Sequence, residues 1–171
     1  ISRHGFTLVE TIVVLAVFTL LVAAVFSAIA HFYRVNAYTI AQTQQLQIAR
    51  HGVERMVRDL REMAYADNGA YPLVAMSSSS IQFYSDVDRD EQIEKISYTL
   101  ESAQLMRRVF NASGTPPVYE STPSREETVS GFVQNNPMDV PLFTYYDAAG
   151  NPLPASAAVT DVRLVDVRLV V

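Results

Sequence analysis

The residues of this sequence whose types and spacing could do chemistry are few. Asp86, Asp88 and Asp90 in DVDRDEQIE place carboxylates at alternate positions, where they can converge on one hard cation as at the opening of a calcium loop. The match then stops. Glu91 stands where the EF-hand needs glycine for its sharp turn, and Ser97 stands where it needs a bidentate glutamate. A solvated turn between two strands is the preferred reading, because Asp is also a turn former. Calcium at this loop is the one cofactor the sequence suggests. His4, His31 and His51 show no Glu/His spacing of a zinc protease, and the absence of cysteine removes thiolate metal sites and thiol nucleophiles together. The serines at 77–80 lack the glycines of a nucleophile elbow, and no glycine-rich phosphate loop occurs. No constellation for catalysis emerges, so an enzyme is not expected. One ionisable residue remains to be explained: Glu10, at the head of an apolar run.

The element that positions Glu10 is legible. Residues 11–30, TIVVLAVFTLLVAAVFSAIA, carry no charge, glycine or proline, which matches the ~20 residues a helix needs to cross a bilayer. Arg3 and His4 precede the run, and a positive flank tends to stay in the cytoplasm, although Arg34 beyond the span weakens that vote. A secretory signal would have a shorter apolar region and a small-residue cleavage site after it, whereas here the apolar run leads directly into further helix. The sequence opens at Ile1 rather than Met, so further residues of the natural start are expected before it. An acid near hydrocarbon is costly and is read by default as functional. The plainer account is that a carboxylate in the first turns favours the positive end of the helix dipole and reaches the headgroups.

Residues 5–10 decide between the two. They read GFTLVE, and with basic residues before and the apolar run after, this segment resembles the N-terminus of the type IV prepilins. The resemblance implies cleavage between Gly5 and Phe6 by a membrane peptidase, then N-methylation of Phe6. Gly5 suits a protease, which needs accessible, extended backbone with little steric hindrance. The resemblance further implies that Glu10 pairs with the terminal amine of a neighbouring subunit, since a buried charge without a partner is severely penalised. The rest of the chain resembles minor pilins and J-type pseudopilins more loosely.

After Ala30 the pattern turns amphipathic without a breaker, which predicts one helix from about Phe6 to Ala66. Leu46, Ala49, Val53, Met56, Val57, Leu60 and Met63 form its apolar stripe, and Arg50, Glu54, Arg58 and Glu62 a charged face at four-residue steps. Asp67, Asn68, Gly69 and Pro72 supply the stop. Residues 80–85, 94–100 and 104–110 read as strands of a β-meander, residues 111–127 as an exposed loop rich in Pro, Ser and Thr, and VRLVDVRLVV as a closing strand with Val165, Val167, Leu169 and Val171 on one face. The expected fold is α+β: a long N-terminal transmembrane and amphipathic helix packed on a C-terminal antiparallel sheet, as in pilins. Its expected divisions are a leader at 1–5, a membrane helix at 6–30, an extracytoplasmic continuation at 31–66 and a β-rich head at 67–171.

At 171 residues, with a net charge of −5 spread among interspersed acids and bases, the chain fits one head and shows no nucleic-acid footprint over its length. The function that follows from the resemblance is a structural subunit, of the minor type, in a type IV pilus, a type II secretion pseudopilus or a DNA-uptake filament. The implied partners are other pilin or pseudopilin subunits, the prepilin peptidase and methyltransferase, an inner-membrane assembly platform and membrane lipid, with nucleic acid a partner only in a DNA-uptake system. The expected location is the inner membrane, with the N-terminus cytoplasmic and the head outside. The alternative is a membrane-tethered protein whose head captures a ligand without assembling.

Overall fold

The computed structural model describes residues 7–171, and for residues 37–44 the backbone alone. The chain divides into two compact units, Ile1–Gln44 and Gln45–Val171. Helix α1 is continuous from Leu8 to Arg61. The strands are β1 (Leu73–Met76), β2 (Ser80–Ser85), β3 (Glu94–Glu101), β4 (Gln104–Phe110), β5 (Ala112–Ser113), β6 (Val118–Tyr119), β7 (Arg125–Ser130), β8 (Phe143–Tyr146), β9 (Pro152–Leu153) and β10 (Leu164–Val167), with a short 3-10 turn at Val159–Asp161. The fold class is α+β, with the antiparallel sheet and the long helix expected from sequence.

The helix stops earlier than the sequence predicts, at Arg61 rather than Ala66. The physical reason lies in β2. The Ala64 N–H donates to the Tyr84 carbonyl at 3.0 Å, Met63 bridges Ser85, and the Ser85 hydroxyl donates to the Glu62 carbonyl. Residues after Arg61 are therefore drawn out to pair with the end of β2, and backbone groups that a further helical turn would satisfy are satisfied there instead. The stop residues act a few positions later: Gly69 takes a φ of 81°, and its N–H closes a turn onto Ala66.

The principal sheet has the order β1-β2-β3-β4-β7, and a second, three-stranded sheet has the order β10-β8-β9. In the first, Ile96, Tyr98 and Leu100 alternate with Ser97 and Thr99, and they stand opposite Val109, Arg107 and Leu105 of β4. This period of two puts one apolar face against α1, from which Met56 enters the core. The most buried positions of the outer helix are Ala49, Gly52, Met56 and Asp59, whereas Leu46 is exposed. The stripe predicted from apolar residues alone is thus rotated slightly, and it admits a glycine and an acid. Gly52 is there because a Cβ would meet Val129 Cγ1 at 2.5 Å and the Val129 carbonyl oxygen at 3.0 Å. The helix lies that close to β7.

Residues 111–127 are not a loop throughout. They contain the small β5–β6 ladder, and β7 begins within them at Arg125. Composition misses β7 because its sequence, REETVS, is held by cross-strand charge rather than by apolar alternation: Arg107 stands opposite Glu127 and Arg108 opposite Glu126. The closing strand is likewise shorter than predicted, confined to Leu164–Val167. Asn135, fully buried, explains the chain beyond it, since its amide donates to the Arg168 and Val140 carbonyls and its oxygen accepts from the Val170 N–H.

Candidate functional site

At the N-terminus the described chain begins with Thr7, so Gly5 and Phe6 lie outside the described residues. Thr7 and Glu10 form a reciprocal cap. The Glu10 carboxylate accepts from the Thr7 N–H at 3.3 Å and from its hydroxyl at 3.4 Å, while the Glu10 N–H donates to Thr7 Oγ1 at 3.3 Å. This is the capping box of a Ser/Thr followed three residues later by Glu. The signal for this cap, Thr-x-x-Glu ahead of an apolar run, is present in TLVE, beside the pairing with a neighbour's amine that the sequence resemblance implies for Glu10. The two bonds to the carboxylate are long for hydrogen bonds of this kind, and both fall on one of its oxygens, so among the described residues it is held loosely and its other oxygen has no partner.

Behind this cap, Leu8–Asn36 is long and apolar enough to cross a membrane, and none of it is buried within the chain. Leu15, Phe18, Leu20 and Phe26 are among the side chains left open. Apolar surface on this scale needs an apolar surround, whether lipid or other helices.

The acidic loop is assembled differently from its sequence pattern. Carboxylate oxygens of Asp86, Asp88 and Glu94 lie within 4.8 Å of one another, and Asp90 is not in that group. Asp90 instead accepts from the Gln92 N–H, and Asp86 from the Arg89 N–H, as residues of a tight turn do. Arg89 and Glu91 carry positive φ there, so the backbone curls and brings the first residue of β3 back against Asp86 and Asp88. Glu94 is buried, with one oxygen accepting from the Val87 N–H at 3.1 Å. Burial first, and then the carboxylates of Asp88, Asp90 and Asp86, hold its carboxyl above the usual range despite that hydrogen bond. The hydrogen bonds of Asp86, Asp90 and Glu94 account for the loop as a turn.

A second charged group was invisible in sequence. Arg107 of β4 has a side chain only 1% exposed. Its Nε donates to Asp59 Oδ2 at 2.8 Å and to the Tyr98 hydroxyl at 3.1 Å, and its Nη1 donates to Glu127 at 3.0 Å. The Tyr98 hydroxyl in turn donates to Asp59 at 2.8 Å. Burial opposes the charge of Arg107, but Tyr98 and Asp59 outweigh it and raise the pKa on balance. Burial, reinforced by the Asp59 charge, pushes the Tyr98 hydroxyl far up as well. With every member hydrogen-bonded, the cluster ties α1 to β3, β4 and β7 as a structural lock.

An α+β head following a single long apolar N-terminal helix is the pilin-like layout. Within it, residues 2–26 match the prokaryotic N-terminal methylation motif, which is consistent with a type IV pilin-like protein and supports processing by a prepilin peptidase. That motif is one of structural proteins, and it implies assembly with other pilin subunits. No curated protein matches the chain. The motif covers the anchor and none of the head.

Proposed function

We propose that this chain is a minor subunit of an extracytoplasmic filament: a type IV pilus, a type II secretion pseudopilus or a DNA-uptake filament. The observation that carries the reading is the methylation motif at residues 2–26 running without interruption into an apolar helix that buries nothing of its own. The anchor holds the subunit in the inner membrane with its head outside. A peptidase removes the leader between Gly5 and Phe6, the Phe6 amine is methylated, and the subunit then leaves lipid for a filament core in which apolar helices surround one another. An assembly platform in the inner membrane carries out that transfer.

In this reading Glu10 registers subunits by pairing with the Phe6 amine of a neighbour. The loose capping box supports it, because a carboxylate held by long bonds to Thr7 retains capacity for a second, charged partner. Two substitutions separate the roles. Glu10→Gln keeps the cap, since Gln serves at this position of a capping box, but removes the charge. Glu10→Val removes both, and by removing an ionisable group it leaves membrane insertion intact or improved. Expressed beside the native filament system, both variants are expected to be processed and membrane-bound yet missing from sheared filaments. Incorporation of Glu10→Gln at the wild-type level would reject charge pairing and leave the cap as the role of Glu10.

A further inference from the structure

An apolar groove of about 470 Å³ runs along β10, within the size range of ~300–1,000 Å³ typical of ligand-holding clefts. Val57 and Leu60 of α1 line it, together with Leu73 and Val159. All four residues of β10, Leu164 to Val167, line it as well. Successive side chains of a strand point to opposite faces, so a groove lined by four in a row lies along the strand's edge rather than on either face.

Among the described residues that edge is unpaired. β8 pairs with β10 on its far side, with Leu164 opposite Tyr146 and Asp166 opposite Thr144. The Arg168 N–H donates to the Leu142 carbonyl at 2.9 Å in the same register. Antiparallel pairing alternates, so residues 164, 166 and 168 turn their backbone groups toward β8, while Val165 and Val167 turn theirs into the groove. Neither Val165 nor Val167 has a backbone partner on that side among the described residues.

The rim carries a charge preference. Arg61 is exposed and has no carboxylate partner among the described residues, and Arg163 is fixed beside it by bonds from its guanidinium to the Thr160 and Val162 carbonyls. The single acid of the groove, Asp166, leans toward Arg168 at 3.9 Å. The rim is therefore cationic.

We propose that the free edge of β10 is a strand-addition site for an extended, apolar peptide segment carrying an acidic residue, donated by another polypeptide. Main-chain bonds to Val165 and Val167 would supply affinity, the apolar walls would take alternate side chains, and Arg61 with Arg163 would select the acid. A hydrocarbon chain fits the walls but not the edge, because it would bury those N–H and C=O groups without partners. The inference concerns the head alone and stands whether or not the chain enters a filament.

The test uses the full chain in lipid nanodiscs and a peptide labelled at its N-terminus, fluoresceinyl-Gly-Val-Thr-Val-Glu-Val-amide, read by fluorescence anisotropy. Saturable binding is expected. N-methylation of the peptide's central valine should weaken it about tenfold, the value of a main-chain hydrogen bond. Arg61→Gln, which removes the charge at an exposed helix end, should weaken it at least ~3-fold with a melting temperature within a few degrees of the wild type, and Val165→Pro should weaken it further by deleting an edge donor. Equal binding of the N-methylated peptide, indifference to Arg61→Gln, or no saturable binding at all would overturn the proposal. Displacement of the peptide by dodecanoate at equal concentration would assign the groove to a fatty chain and overturn it also.

Discussion

Asp59→Ala is expected to be among the most damaging single substitutions in the head. Its carboxylate takes two hydrogen bonds at 2.8 Å, from Arg107 Nε and from the Tyr98 hydroxyl, in a place where Arg107 is 1% exposed. Breaking a buried ion pair from one side costs about 3–5 kcal/mol, because the surviving charge stays buried. Here the lower end applies: Glu127 remains on Arg107 Nη1, and its side chain is 28% exposed, so the cation keeps one partially solvated partner. A loss of about 3 kcal/mol would be a large part of the 5–15 kcal/mol typical of a domain. It would lower the urea midpoint by roughly 1–3 M for an m-value of ~1–3 kcal/mol/M. The chain has nine tyrosines and no tryptophan, so near-ultraviolet circular dichroism of the tyrosines follows the transition. The sharper test is the cycle with Arg107→Met. That change should be costly in the wild type yet neutral or stabilising beside Asp59→Ala, where it removes an uncompensated cation. Equal costs in both backgrounds, or an Asp59→Ala loss below about 1 kcal/mol, would refute the lock.

Gly52→Ala should destabilise the head by about 1–3 kcal/mol despite the better helix propensity of alanine, because the new Cβ meets the Val129 carbonyl at 3.0 Å as well as a movable methyl; urea midpoints check it. The raised pKa of Glu94 means that the folded state holds its proton more tightly than the unfolded chain, so its contribution to stability is present below the ordinary Glu range and lost as pH rises through the folded value. Glu94→Gln should therefore gain on the wild type as pH is raised from about 4 to 7, and a difference between the two that stays constant with pH would exclude this. Intact-mass analysis of membrane-extracted protein should find methylated Phe6 as the first residue in cells with active peptidase, and a bulky residue at Gly5 should leave the leader attached.

The anchor was legible in sequence because its physics is local. An apolar run of bilayer length needs no tertiary partner to be recognised, and the methylation motif occupies consecutive residues. Strands β2, β3 and β4 were legible for a related reason, since alternation along each is visible without knowing its neighbours. The capping box is local too, since Thr7 and Glu10 lie three residues apart.

Tertiary structure alone decided the rest. Asp59 sits on the core face of α1 because its partner Arg107 arrives from 48 residues away, and no helical periodicity signals that an acid will be matched there. The helix ends at Arg61 because β2 offers the next residues better-placed backbone partners, a choice made by strand pairing and not by the stop residues downstream. Glu94 replaces Asp90 in the acidic cluster because positive-φ residues in the turn fold the chain back, whereas spacing along the sequence assumes it runs on. β7 joins the sheet because Arg107 and Arg108 stand ready to receive Glu127 and Glu126, so that charge supplies the complementarity that apolar alternation supplies elsewhere. At the acidic turn the deciding event is a backbone reversal within a few residues, and in the other cases it joins residues distant in sequence, which only the folded chain brings within reach.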